Sequence, residues 1–184
     1  MAGIERADSL SWNAHKMLGV PLPCSPLVVR QRGLLTKHLN ESAEYLFQSH
    51  EDDLNPGTRS IQCGRRNDAF KLWAAWLYHG DAGFDARISG FFDLARYAAG
   101  IIEREPGLDL LAQPESVTVC FEVSGVASAA ICDRLDEEAI LKIGYGRVGD
   151  RVGIRMVCID PDLDRARIDE MVGQIKCAAE AIGG

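Results

Sequence analysis

No apolar run in this chain approaches the roughly 20 residues that a bilayer-spanning helix needs, and the opening stretch MAGIERADS lacks the apolar core of a secretion signal. Positive charge is also short: 20 basic side chains stand against 27 acidic ones, a formal net charge of −7. Such a balance supplies no basic patch to meet nucleic-acid phosphates. There is no CxxC pair, and the six cysteines at 24, 63, 120, 132, 158 and 177 are scattered singly. Without a secretion signal they read as reduced core residues rather than disulfides or metal ligands. Internal repeats and low-complexity segments are absent. These absences predict a cytoplasmic protein with no membrane, nucleic-acid or metal partner, and they leave small ligands open.

What remains is a composition of 47% hydrophobic and 26% charged residues over 184 positions, enough for one domain, or a domain and a fraction, with a real core. SPLVVRQ (25–31) predicts a short buried strand after a turn carrying Pro21, Pro23 and Pro26. ESAEYLFQ fits strand or helix, and SHEDDLNPGTRS is polar enough to predict a mobile loop. Helical spacing begins at NDAFKLWAAWLYHG, with Phe70, Trp73 and Leu77 on one stripe and Leu72 and Trp76 widening it. Gly80 ends that helix; a second runs through Phe84, Ile88, Phe91, Ala95 and Ile102 to Pro106-Gly107.

Beyond residue 106 the pattern predicts β-α-β-β-α. SVTVCFEV alternates, with Val117, Val119, Phe121 and Val123 on one face, and SAAICDRLDEEAI reads as a short helix. ILKIGY and VGIRMVCI read as a strand pair joined by GRVGDR. A final helix is capped by Asp160, with Pro161 in its first turn and a face of Leu163, Ile168, Met171, Val172, Ile175, Ala179 and Ile182. The division expected from this reading is 1–105 and 106–184. GYGRVG (144–149) matches a GxGxxG dinucleotide loop, but such a loop must open a helix, and here it leads into another strand, so a hairpin turn is expected.

The stretch ADSLSWNAHKMLGVPLPCS (7–25) places Lys16 among a tryptophan, an asparagine, a histidine and a cysteine-serine pair. By composition alone Lys16 is a surface lysine at a loop-to-strand junction. SWNAHK followed by MLGVPLPCS, however, resembles the cofactor-lysine segment of the group II pyridoxal-phosphate amino-acid decarboxylases, which include glutamate, cysteine-sulfinate and aromatic amino-acid decarboxylases. The likeness continues in the same order through EYLFQ, IQCGRRNDAFKLWAAW, VTVCFEV and GIRMV, over nearly the whole chain. YLFQ and QCGRR.D.FKLW are most like the branch acting on acidic substrates.

The resemblance implies an α/β chain of the type I (aspartate aminotransferase-like) fold: the tail of the large domain up to 105, then the small C-terminal α/β domain. It implies pyridoxal 5'-phosphate as cofactor and Lys16 as the lysine that holds it covalently, a role for an amine that can lose its proton in a desolvated pocket. Asn13 and His15 fall where the family contacts the cofactor phosphate, and Ala14 replaces a proline common there. Arg155, in VGIRMV, falls where the family grips the substrate carboxylate, and a guanidinium fork suits that task. Polar turn residues at 13 and 15 and a solvated strand arginine at 155 are the plain alternatives.

Two departures qualify the implied activity. The loop SHEDDLNPGTRSIQ has no tyrosine where decarboxylating members carry the one that protonates the substrate's Cα. His50 is the obvious substitute acid, or simply a loop histidine, and a decarboxylation-coupled side reaction becomes an alternative. Only 15 residues precede Lys16, so most of the family's large sheet, the acid that pairs with the pyridine nitrogen and the aromatic that stacks on the ring are expected from elsewhere. The expectation is a lyase completed by an N-terminal-half subunit, or by identical chains in an obligate oligomer. The alternatives are an inactive truncated relative acting as an interaction protein, or, least favoured, a freestanding domain with a new ligand.

Overall fold

Two short strands, β1 (Ser9–Ser11) and β2 (Leu27–Val29), pair antiparallel with Leu10 opposite Val28. They follow a 3-10 turn at Ile4–Arg6 and lead to helix α1 (Leu34–Leu39). The computed structural model describes residues 2–40, 56–62 and 64–184, so YLFQ and His50 lie outside the described residues, as does most of the polar loop. Its far end forms a second 3-10 turn, Pro56–Arg59. Helix α2 (Asp68–Arg104) begins with the Asn67 side chain accepting the Phe70 N–H at 3.1 Å, an N-cap that satisfies one free donor of the first turn. Gly80 interrupts it with φ 63 and ψ 178, a conformation open to glycine and costly for other residues, so the predicted break falls where expected.

Contacts divide the chain into two units, Met1–Gly80 and Asp81–Gly184. In the first, Ala14, Val20 and Cys24 are buried and packed by Trp12, Leu18, Leu72 and Ala75. The strand predicted as buried at 25–31 is instead exposed at Leu27 and Val28, because β2 belongs to a ribbon of only two strands. Phe70, Trp73 and Leu77 are also exposed.

The second unit contains β3 (Leu108–Ala112), β4 (Thr118–Val123), α3 (Ser128–Glu137), β5 (Gly144–Val148), β6 (Arg151–Val157) and α4 (Arg165–Gly183). Its four strands form an antiparallel sheet in the order β3-β4-β6-β5. Apolar alternation puts Val119 and Phe121 of β4 with Ile154 and Met156 of β6 on one face. Ala95, Ala98, Ala99 and Ile102 of α2, Ile131 and Leu135 of α3, and Ile168, Val172 and Ile175 of α4 join them in one core. Fully burying each large side chain in such a core contributes about 1.5–3 kcal/mol. The later part of α2 therefore groups with this sheet, in a compact unit that begins at Asp81.

Several elements differ from expectation in instructive ways. β3 was not anticipated; the tail is β-β-α-β-β-α. β5 is Gly144–Val148, so GYGRVG is mostly strand, and only residues 149–150 form the turn before Arg151. The cap of α4 is Asp164, which accepts the Arg167 N–H at 2.8 Å, whereas Asp160 accepts the Asp162 N–H at 2.9 Å in a preceding turn. Cys24, Cys132 and Cys158 are buried free thiols, but Cys120 is half-buried and Cys177 exposed; Cys63 lies outside the described residues. Phe84 and Phe91, on the apolar stripe expected of the second helix, are buried.

Candidate functional site

The turn bearing Lys16 is built by its backbone. Trp12 N–H donates to Pro26 O at 3.3 Å, prolonging the β1–β2 ladder by one bond. The chain then folds back: Lys16 N–H donates to Asn13 O at 3.1 Å, Gly19 N–H to Lys16 O at 2.9 Å, and Val20 N–H to Ala14 O at 3.2 Å. Ala14, fully buried, anchors this turn, while Asn13 and Lys16 are exposed and His15 is half-buried. Lys16 Nζ has no hydrogen-bond or ion-pair partner among the described residues.

Residues 24 and 25 fix the neighbours of Lys16. His15 Nδ1 lies 2.8 Å from the carbonyl oxygen of Cys24 and 3.0 Å from its N–H. In one tautomer Nδ1–H donates to the carbonyl; in the other Nδ1 accepts the N–H. Either way Nδ1 is committed to Cys24, and Nε2 remains available to a ligand. Ser25 Oγ donates to Asn13 Oδ1 at 2.7 Å, which leaves both N–H donors of the Asn13 amide available. A free amine beside an uncommitted imidazole nitrogen and an unengaged amide fits an aldehyde that also carries a phosphate. Cys24 and Ser25 belong to this arrangement and received no role from the sequence, although the pair was visible in it. Their contributions are a main-chain grip and a hydroxyl tie, which residue type alone does not signal.

Arg155 belongs to the second unit. It is exposed on the sheet face opposite the core, between the buried Ile154 and Met156, directly across from Cys120 on β4 and Gly144 on β5. Burial pushes the Cys120 thiol up, and the Arg155 charge opposes that shift. The two glycines of β5 leave its backbone bare beside the guanidinium: a Cβ at Gly146 would lie 3.6 Å from Arg155 Cδ, and one at Gly144 would meet nothing within 4 Å. Nearby, Arg151 donates to both Asp109 and Glu122, so among the described residues Arg155 is the arginine of β6 left available to an anion. Among the described residues no group of His, Cys, Asp and Glu side chains is placed to hold a metal ion. No described helix is long and apolar enough to cross a membrane.

Comparison with known proteins places these residues in context. The pyridoxal-dependent decarboxylase conserved domain matches residues 1–124. The chain is 36% identical to mouse (Mus musculus) cysteine sulfinic acid decarboxylase, an alignment covering 95% of this chain and 40% of the relative. It is 34% identical to the mouse acidic amino acid decarboxylase GADL1, covering 94% of this chain and 36% of that protein. A crystal structure of mouse CSAD in apo form superposes with a TM-score of 0.85 at 32% identity, covering 97% of this chain and 41% of that one. An Oryza sativa TDC structure with PLP and tryptamine shares the fold, with a TM-score of 0.86 at 23% identity, covering 100% of this chain and 41% of that one. The chain thus spans about 40% of the length of cysteine sulfinic acid decarboxylase.

Proposed function

This chain belongs to the pyridoxal-dependent decarboxylase family, and on that premise we propose that it supplies the cofactor lysine and the C-terminal α/β unit of an acidic amino-acid α-decarboxylase. The substrate class is glutamate, aspartate or cysteine sulfinate, in keeping with its likeness to cysteine sulfinic acid decarboxylase and to the acidic amino acid decarboxylase GADL1. The observation that carries this reading is the turn at 13–16, which presents a free Lys16 amine beside a His15 ring held by Cys24.

When bound, pyridoxal 5'-phosphate supplies the electron sink that lets the substrate's carboxylate leave as CO2. Lys16 holds it covalently; the Asn13 amide and His15 Nε2 hold its phosphate. Arg155 orients the substrate by gripping its carboxylate with two parallel hydrogen bonds. His50 is the candidate donor of the proton that the substrate's Cα takes up; a decarboxylation-coupled side reaction is the alternative there. The groups that hold the ring belong to the part of the family fold that this chain does not span; an N-terminal-half subunit, or identical chains in an obligate oligomer, is the proposed source. The assembly is cytoplasmic.

The deciding experiment is borohydride reduction of the chain with pyridoxal 5'-phosphate, with and without a completing subunit, followed by peptide mass spectrometry. Label is expected on Lys16 and absent from a Lys16→Ala variant. Label on other lysines with Lys16 unmodified overturns the assignment. The exposed Phe70, Trp73 and Leu77 favour a second reading, an inactive relative that binds a full-length decarboxylase. An unlabelled Lys16 in the completed assembly selects that one.

A further inference from the structure

Lys71 stands one turn into α2, in the stretch NDAFKLW. Its ammonium donates to the Pro21 carbonyl at 2.9 Å and to the Pro23 carbonyl at 2.8 Å. Asp68 Oδ1 lies 2.7 Å away, off the direction of a good hydrogen bond, so that contact is an ion pair. The Lys71 side chain is only 21% exposed. A solvated surface lysine does not look like this: two main-chain carbonyls accept from one ammonium and a carboxylate lies beside it as counter-charge.

The acceptors have a reason to need Lys71. Pro21 and Pro23 have no N–H, so the segment around them cannot zip into a ladder of its own. Lys71 joins these carbonyls from a helix 48 and 50 residues away in sequence. The Cys24 thiol adds a weak contact, 3.5 Å from the Asp68 carbonyl oxygen of the same helical turn. The segment 21–24 is thus held at three points by the first turn of α2, through the Pro21 and Pro23 carbonyls and the thiol of the next residue. That residue, Cys24, grips His15 Nδ1 through its main chain.

We propose that Lys71 is a positioning residue: by clamping residues 21–24 to α2 it fixes the Cys24 main chain, which sets the tautomer and direction of His15 beside Lys16. The inference rests on the proposed role of Asn13 and His15 toward a cofactor phosphate, and it adds a specific consequence. Loss of the clamp weakens recognition of the phosphate more than it weakens the reactivity of the Lys16 amine.

The test uses the full chain in wild-type form and as Lys71→Met, Lys71→Arg and, as control, Lys37→Met. Long-range nitrogen–proton NMR reads the tautomer of His15. Borohydride trapping with pyridoxal 5'-phosphate and, separately, with pyridoxal reads the preference of Lys16 for the phosphate-bearing aldehyde. Wild type and Lys37→Met are expected to show one His15 tautomer and a clear preference for the phosphate. Lys71→Met is expected to show a mixture of tautomers and at least a tenfold loss of that preference, with Lys71→Arg restoring part of both. If Lys71→Met loses helical circular dichroism, Lys71→Gln takes its place with the same readouts. A folded Met or Gln variant with the wild-type tautomer and preference overturns the proposal, and so does label on Lys71 in the wild type. Absence of any label at Lys16 in the wild type removes the proposed function alone, because the His15 tautomer still decides the role of Lys71.

Discussion

The Leu111 side chain lies across the bare backbone of Gly153: a Cβ built at Gly153 would stand 2.5 Å from Leu111 Cδ1 and 2.7 Å from the Phe121 carbonyl oxygen. Leu111 sits at an irregularity in the β3–β4 pairing, between Leu110 and Ala112. It covers the sheet two residues before Arg155, on the face that Arg155 shares. The glycine is required there by close approach, since its own neighbour is a strand backbone that cannot move aside.

Gly153→Ala is accordingly expected to destabilise the second unit by about 1–3 kcal/mol, the usual cost of overpacking. Gly144→Ala, whose added methyl meets nothing within 4 Å, is expected to stay within about 0.5 kcal/mol of wild type. Denaturant midpoints of the two variants check the contrast, and equal midpoints would refute it.

Arg155→Lys keeps the charge and loses the planar fork. A hydrogen bond to a charged group contributes about 1.5–3 kcal/mol, so kcat/KM of the assembled decarboxylase is expected to fall roughly ten- to a hundredfold. Trapping of pyridoxal 5'-phosphate at Lys16 should be unchanged, because Arg155 is assigned to the substrate alone. An unaltered kcat/KM removes Arg155 from that role.

Burial pushes the Cys158 thiol up to about 11 from an ordinary value of 9.0. The folded chain therefore keeps this proton after the unfolded chain has released it. The associated stability is complete below pH 9.0, declines as pH rises above it, and is lost once pH passes about 11. Burial raises the Cys24 and Cys132 thiols in the same direction. Unfolding midpoints should fall between pH 9 and 11, less steeply in Cys158→Ala. Site-resolved alkylation near pH 8 should modify the exposed Cys177 well before Cys158; the reverse order would contradict the placement of both.

Trp73 is 57% exposed and Leu77 71% exposed on the same stripe of α2. Contiguous apolar area of this kind on a soluble protein marks an interaction surface. Light scattering of the purified chain should report an oligomer, and Trp73→Glu with Leu77→Glu should shift it toward the monomer. A compact wild-type monomer that binds no hydrophobic dye contradicts the proposed assembly.

Legibility in the sequence followed the range of the interactions concerned. The break at Gly80 is a local backbone property, and the inward faces of β4 and α4 repeat every two and roughly every 3.6 residues, so all three could be read directly. Arg155 was legible as an outward residue by the same alternation. The cap of α4 was not, because aspartates at 160, 162 and 164 offer the same short side chain at two-residue steps, and hydrogen bonding alone separates the turn at Asp160 from the cap at Asp164. β3 is five residues long and owes its place to pairing with β4 and to Leu108 and Leu110 packing on the core. In the first unit the order of motifs pointed to Lys16, yet the Lys71 clamp left no trace, since its acceptors are carbonyls that every residue carries.

His15 is gripped by the main chain of Cys24, and an N–H and a carbonyl are common to every amino acid but proline, which lacks the former. As far as the imidazole is concerned, the alphabet at position 24 collapses to two classes, proline and everything else. The thiol answers to a different demand, the small sealed volume shared with Ala14 and Val20. Serine, whose hydroxyl can keep the contact to the Asp68 carbonyl oxygen, would read there as a near synonym of cysteine, and a survey of side-chain identities would pass over the position that aims the histidine.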